Sequence, residues 1–243
     1  MLVTGLTAAA VAGVAKTKTN RFVYGSYALA CFGGFGHQFV SVLYAKSELV
    51  TQSVWLMALQ VDFASLALLS AIVCIYCDAH RGDHLDKPVL PLALIWVFVL
   101  VANHASPFSI HFSSVQHISS LLSVWGQIFH VVGQVGLASY LWHGLMLFLL
   151  GFLSWSVLKL KHKQTLVRHW VYLATILVLI LGVVDSFLVD LNFVNPPYWI
   201  GYAINVFVGV VAIDMIQKSA RRSQELVKPV SYTHLTLPTI LLV

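Results

Sequence analysis

The sequence predicts an all-α polytopic membrane bundle of about six transmembrane helices, with both termini cytoplasmic. Three observations predict it. Of 243 residues, 59% are hydrophobic and only 9% charged, whereas roughly a quarter of an average soluble domain is charged. The mean hydropathy is +0.85. Apolar stretches recur at the length a bilayer-spanning helix needs, about 20 residues, with basic residues collected between them. A soluble enzyme, a nucleic-acid-binding protein and a disordered chain are excluded. The net charge of +5 reflects loop residues that set orientation and attract anionic lipid, so the bilayer is the expected partner and nucleic acid is not.

Residues 1–21 read as an N-terminal cytoplasmic or interfacial segment. Its positive charges, Lys16, Lys18 and Arg21, follow the small apolar run, the reverse of a secretory signal. The first span is 22–45. Within it Gly33, Gly34 and Gly36, near Ala28 and Ala30, let a helix approach closely. They read as a packing face, open to a neighbouring helix or to a helix-packing partner. The second span is 50–77 and the third, shorter, is 88–106. The last two are 166–191 and 197–217, the latter opened by Pro197 at a favoured first-turn position.

Between them, Ile118 to Leu158 runs 41 residues without one Lys, Arg, Asp or Glu. That is long for one crossing and tight for two. The positive-inside rule decides it. A single crossing at 135–158 places 13 of the 14 basic residues on one side and only Lys46 on the other, whereas two crossings divide them 5 against 9. Residues 103–134 then form an outer segment and 218–229 a basic cytoplasmic tail. Trp55 and Trp199 fall near outer helix ends, Trp155 and Trp170 near inner ones, as an aromatic belt predicts.

The far end reads differently. Val230 to Thr239, Val-Ser-Tyr-Thr-His-Leu-Thr-Leu-Pro-Thr, resembles a translated transposase-based sequencing adapter over ten consecutive codons. Residues 230–243, including His234, are therefore set aside as an artefact, and the natural chain is expected to continue past Pro229.

Ionisable residues inside a membrane are costly and point to partners or watery cavities. His37, Asp62, His143 and Asp185 lie within the spans. His104, His111, His117 and His130 lie in or beside the outer segment, and Asp190 sits at the outer edge. A histidine transfers protons near neutral pH, so His143 is the candidate catalytic base or acid, oriented by Asp185 or Asp62. The alternative is a proton relay through His37, Asp62 and Asp185.

Two groups have metal-ligand chemistry. His104, His111 and His117 offer three imidazoles suited to Zn²⁺ or Cu²⁺, although Pro107 interrupts a common helical face. Cys74, Cys77, His80 and His84 fall within an arc of about 120° if the second helix continues. Haem is not indicated. The 13-residue repeat of His104, His117, His130 and His143 turns a helix by about 220° per step, so its members share no face. No particular cofactor is specified.

The segment Ser139-Tyr-Leu-Trp-His143-Gly144 resembles the Ser-Tyr-x-x-Tyr-Leu-Trp-His segment of the integral-membrane acyltransferase family that modifies cell-surface sugars, two residues shorter. The resemblance covers fewer than ten residues, without that family's Arg- and His-bearing first-helix motif. The six-span architecture also resembles small membrane lipid hydrolases of the androgen-induced type. Both resemblances imply an enzyme acting on a lipid or acyl-bearing substrate. A proton-coupled transporter or channel, and a non-catalytic subunit of a membrane complex, are the alternatives.

Overall fold

The computed structural model describes residues 1–15, 18–79, 89–123, 126–159, 166–194, 199–213 and 217. The chain divides into two compact units, Met1–Val208 and Gly209–Val243. In the second unit the described part continues a helix to Ile213. Helices α1 (Leu2–Val14), α2 (Lys18–Tyr44), α3 (Val50–Ala79) and α4 (Val89–Ala105) come first. A hairpin of β1 (Phe112–Ser123) and β2 (Gly126–Val135) follows, then α5 (Leu137–Lys159) and α6 (Leu166–Asp190). Among the described residues the final helix, α7, is Ile200–Ile213.

The fold is mostly helical, and α2 to α7 occupy the stretches read as spans. Among the described residues, three helical stretches are long and apolar enough to cross a membrane: Val50–Cys77, Leu137–Lys159 and His169–Asp190. Leu90–Ala105 and Ile200–Ile213 are shorter apolar helices. The best apolar window of α3 is 72% buried, those of α5 and α6 only 33%. α3 is thus the hub, and the others turn much apolar surface outward. On α4 an exposed stripe of Leu90, Leu94, Val97, Phe98 and Val101 follows helical spacing. Such a surface belongs against lipid or another protein rather than water.

Glycine decides how α2 meets its neighbours. A Cβ built on Gly33 lies 2.7 Å from the backbone nitrogen of Ala67, and one on Gly36 lies 2.4 Å from the Phe63 ring, both on α3. Gly34 faces Ile204 of α7 and the side chain of Met1. The glycine face is therefore covered by the chain's own helices and is not an open docking face. The segment 1–21 contains α1, which lies along α2 with Gly5 against Cys31.

The hairpin departs from the all-α expectation. Its strands pair antiparallel from Phe112↔Val135 to Ser123↔Gly126, with register shifts between Phe112 and Ser114 and between Val115 and His117. Its base is not a surface loop. Phe112 and Val131 are buried with Val40 and Tyr44 of α2 and Leu56 and Met57 of α3. The reason lies in α4, whose penultimate residue His104 reaches only Asp62 of α3. Asp62 is 12 residues into that helix, about 18 Å at 1.5 Å per residue. The hairpin base fills the remaining notch beside the first turns of α3. Backbone bonds from Phe129 N to Ala45 O (3.0 Å) and from Val131 N to the Tyr44 hydroxyl (2.8 Å) tie it to the end of α2.

The close approach of α2 and α3 is open to a direct test. Gly33→Ala should lower the unfolding temperature in detergent, by an overpacking cost of about 1–3 kcal/mol. Gly144→Ala, with nothing within 4 Å of its new methyl group, should not. Equal unfolding temperatures for the two variants would contradict the packing described. In the hairpin, burial and then the neighbouring His117 lower the His130 pKa below its ordinary value. The unfolded hairpin therefore takes up a proton at higher pH than the folded one. Its stability is full above the ordinary histidine pKa of about 6.5 and falls as pH drops through that value towards the lowered one. Amide-exchange protection of the strands, corrected for intrinsic rates, should follow this dependence in the native chain and lose it in His130→Gln.

Candidate functional site

Three elements bring His111, His143 and Asp190 together. α6 ends in a Schellman motif, with Phe193 N bonded to Leu188 O and Asn192 N to Val189 O, both at 2.9 Å. Asn192 takes the left-handed conformation this needs, at φ 58°. The motif fixes Asp190 in the last turn of α6. There the carboxylate is 1% exposed and faces the negative end of the helix dipole, an unfavourable place for an anion. His111 supplies the compensation, its Nδ1 standing 2.5 Å from Asp190 Oδ2.

His143 enters from the second turn of α5 and is 3% exposed. Its Nδ1 lies 2.9 Å from the Ser139 carbonyl oxygen. A carbonyl cannot donate, so Nδ1 carries the proton and Nε2 is the unprotonated nitrogen of the neutral ring. Nε2 stands 3.8 Å from Asp190 Oδ2, beyond hydrogen-bond range. The Ser139 hydroxyl is 3.4 Å from the same oxygen. Phe187, three residues before Asp190, packs its ring against His143 with centroids 5.0 Å apart.

A cavity of about 50 Å³ opens beside the cluster, with His37, His111, His143, Gln60 and Ser186 among its lining residues. A single water needs roughly 10–15 Å³, so the cavity has room for more than one. His37, bonded through Nδ1 to Gln60 O at 3.2 Å, lies between this cavity and a second. The second, about 290 Å³, runs between α2, α7 and β2 and includes Ser41, Phe129, Tyr202 and Asn205.

The remaining sequence candidates lie elsewhere. Asp62 does not orient His143. It accepts a hydrogen bond from Asn103 Nδ2 at 2.8 Å and pairs with His104 Nε2 at 2.7 Å, fastening the end of α4 to α3. Asp185 Oδ2 accepts the Trp199 backbone N–H at 2.8 Å, an anion at the positive N-terminal end of α7. His37, Asp62 and Asp185 thus bond to three different partners, and these bonds do not chain them into a relay. The trio His104, His111 and His117 is also dispersed, since His117 pairs with Val132 in the hairpin. Cys74 and Cys77 are buried, while His80, His84 and residues 218–243 lie outside the described residues.

Sequence reasoning misses two members of the cluster. Asp190 is visible only as an acid at an outer helix end, and Ser139 only as the first residue of the segment that resembles the acyltransferase motif. Among the described residues, His111, His143 and Asp190 also form the one group with metal-binding chemistry. The chain matches no protein-family model and no curated protein.

Asn103 joins the segment before the hairpin to the helices. Its amide nitrogen also donates to Ala58 O, and its Oδ1 accepts from the Ser109 hydroxyl and the Ile110 N–H. Ser109 is held at φ 62° in this turn. Asn103→Ala should strand two buried donors and cost about 1–3 kcal/mol, read as a lower unfolding temperature. An unchanged temperature would show that the turn forms without this side chain.

Proposed function

We propose that the chain is a multi-pass integral membrane protein with six crossings and cytoplasmic ends, and that its outward-facing His/Asp pocket acts on a lipid or acyl-bearing substrate. The three long apolar helices and the one-sided placement of 13 of 14 basic residues support the topology.

The observation that carries the enzymatic reading is the convergence of His111, His143 and Asp190, from three separate chain segments, beside a cavity that His111 and His143 line. The neutral His143 ring presents Nε2 as a proton acceptor for a hydroxyl or water in that cavity. The His111–Asp190 pair stabilises the imidazolium that forms when the proton is taken. Ser139 keeps the tautomer through its backbone carbonyl. The larger cavity beyond His37, lined by both apolar and polar side chains, has the dimensions for part of an acyl chain. The relay reading has no comparable geometric support.

The protein purified in detergent should hydrolyse or transfer acyl groups from simple acyl esters. His143→Ala and Asp190→Asn should each reduce turnover by about 100-fold or more, while helicity by circular dichroism and elution volume stay native. Ester turnover undiminished in His143→Ala would end this reading.

A further inference from the structure

We propose that His111, His143 and Asp190 form a binding site for one divalent transition-metal ion of the zinc type. It rests on the reading of this cluster as the reactive centre, but it needs no reaction to be true. Their candidate ligand atoms all lie within 4.8 Å of one another. Two imidazole nitrogens and one carboxylate oxygen suit a borderline-soft cation such as Zn²⁺ better than Ca²⁺ or Mg²⁺, which prefer all-oxygen sites.

Because the Ser139 carbonyl fixes the proton on Nδ1, His143 turns a lone pair towards the oxygen of a buried carboxylate at 3.8 Å. Asp190 Oδ2 accepts from His111 Nδ1, and the His143 lone pair faces the same oxygen with no proton between them, an arrangement that a cation bound among the three would stabilise. A proton on Nε2 does not bridge that distance well, because a hydrogen bond wants about 3 Å. A metal at about 2.0–2.2 Å from each ligand atom does, with ligand atoms then roughly 3 Å apart or slightly more. Reaching that geometry takes a small inward movement of His143 and a small retreat of His111 from the 2.5 Å contact.

Two further features match a working site. A ligating histidine ordinarily gives its other N–H to a carbonyl or carboxylate, which fixes the ring, and Ser139 O does this for His143. Three protein ligands also leave a fourth position open, as in catalytic zinc sites, and the adjoining cavity of about 50 Å³ has space for a water there. With a metal bound, His143 Nε2 would be a ligand, and the ion would supply the means to make a water in the open position more acidic.

The test uses the full chain purified in detergent without a polyhistidine tag, equilibrated with Zn²⁺, dialysed and analysed for metal. The expected result is one Zn²⁺ per chain, with affinity weakened at least about tenfold in His143→Ala and in the near-isosteric Asp190→Asn, and unchanged in the exposed-strand variant His117→Ala. Co²⁺ in place of Zn²⁺ should give the visible absorption of a low-coordinate site, absent in the first two variants. Native circular dichroism and elution volume keep a folding defect from imitating loss of a ligand. The proposal is overturned by substoichiometric metal in the native chain, or by stoichiometric metal that survives both ligand variants. Zinc bound at one per chain without ester turnover would keep the metal site and remove the enzymatic reading. Turnover in protein that takes up no metal would do the opposite.

Discussion

A carboxylate buried in the last turn of a helix has two forces against it: lost hydration, and the negative end of the helix dipole. Asp190 is in this position, and the segments around it are arranged for its compensation. His111 reaches it across 79 positions of sequence. That contact draws the segment before β1 down onto the end of α6, and with it the base of the hairpin. His143 and Ser139 then bring the start of α5 to the same point. One electrostatic requirement thereby fixes where three chain segments meet.

The second requirement is steric. α4 stops beside the middle of α3, because Asn103 and His104 bond to Asp62 there. Beside the first turns of α3 this leaves a gap that no described helix occupies. Aromatic and β-branched residues from the hairpin, Phe112 and Val131 above all, fill it together with Tyr44 and Met57. Backbone groups of the hairpin find partners within the ladder and at Tyr44 and Ala45.

The helices are legible in the sequence because their apolar runs are long and bounded by charge, and that signal needs no knowledge of tertiary contacts. The hairpin is not. Residues 112–135 contain no charge and no Asn-Gly or Asp-Gly turn, and their alternation of Ser, Gln and His with apolar residues is broken by two register shifts. His143 is legible as a costly polar residue in an apolar helix. Its partner is not, because several acids lie near the same depth and sequence alone does not say which helix turns which face inward. Asp62 and Asp185 satisfy local needs, one at the end of α4 and one at the start of α7, whereas Asp190 is the acid that the turn after α6 aims at His143.

His111 has a double attachment. Its carbonyl oxygen accepts the Gly136 N–H at 2.9 Å, closing the hairpin where its second strand gives way to α5, while its ring holds Asp190. The same residue is thus both the clasp of the hairpin and a wall of the cluster. The two strands, about 30 Å long at roughly 3.4 Å per residue, are held at Tyr44 and Ala45 as well as at His111. A shift of the strands therefore reaches the cluster by two routes, the imidazole of His111 and the chain that runs through Gly136 into α5, where His143 stands.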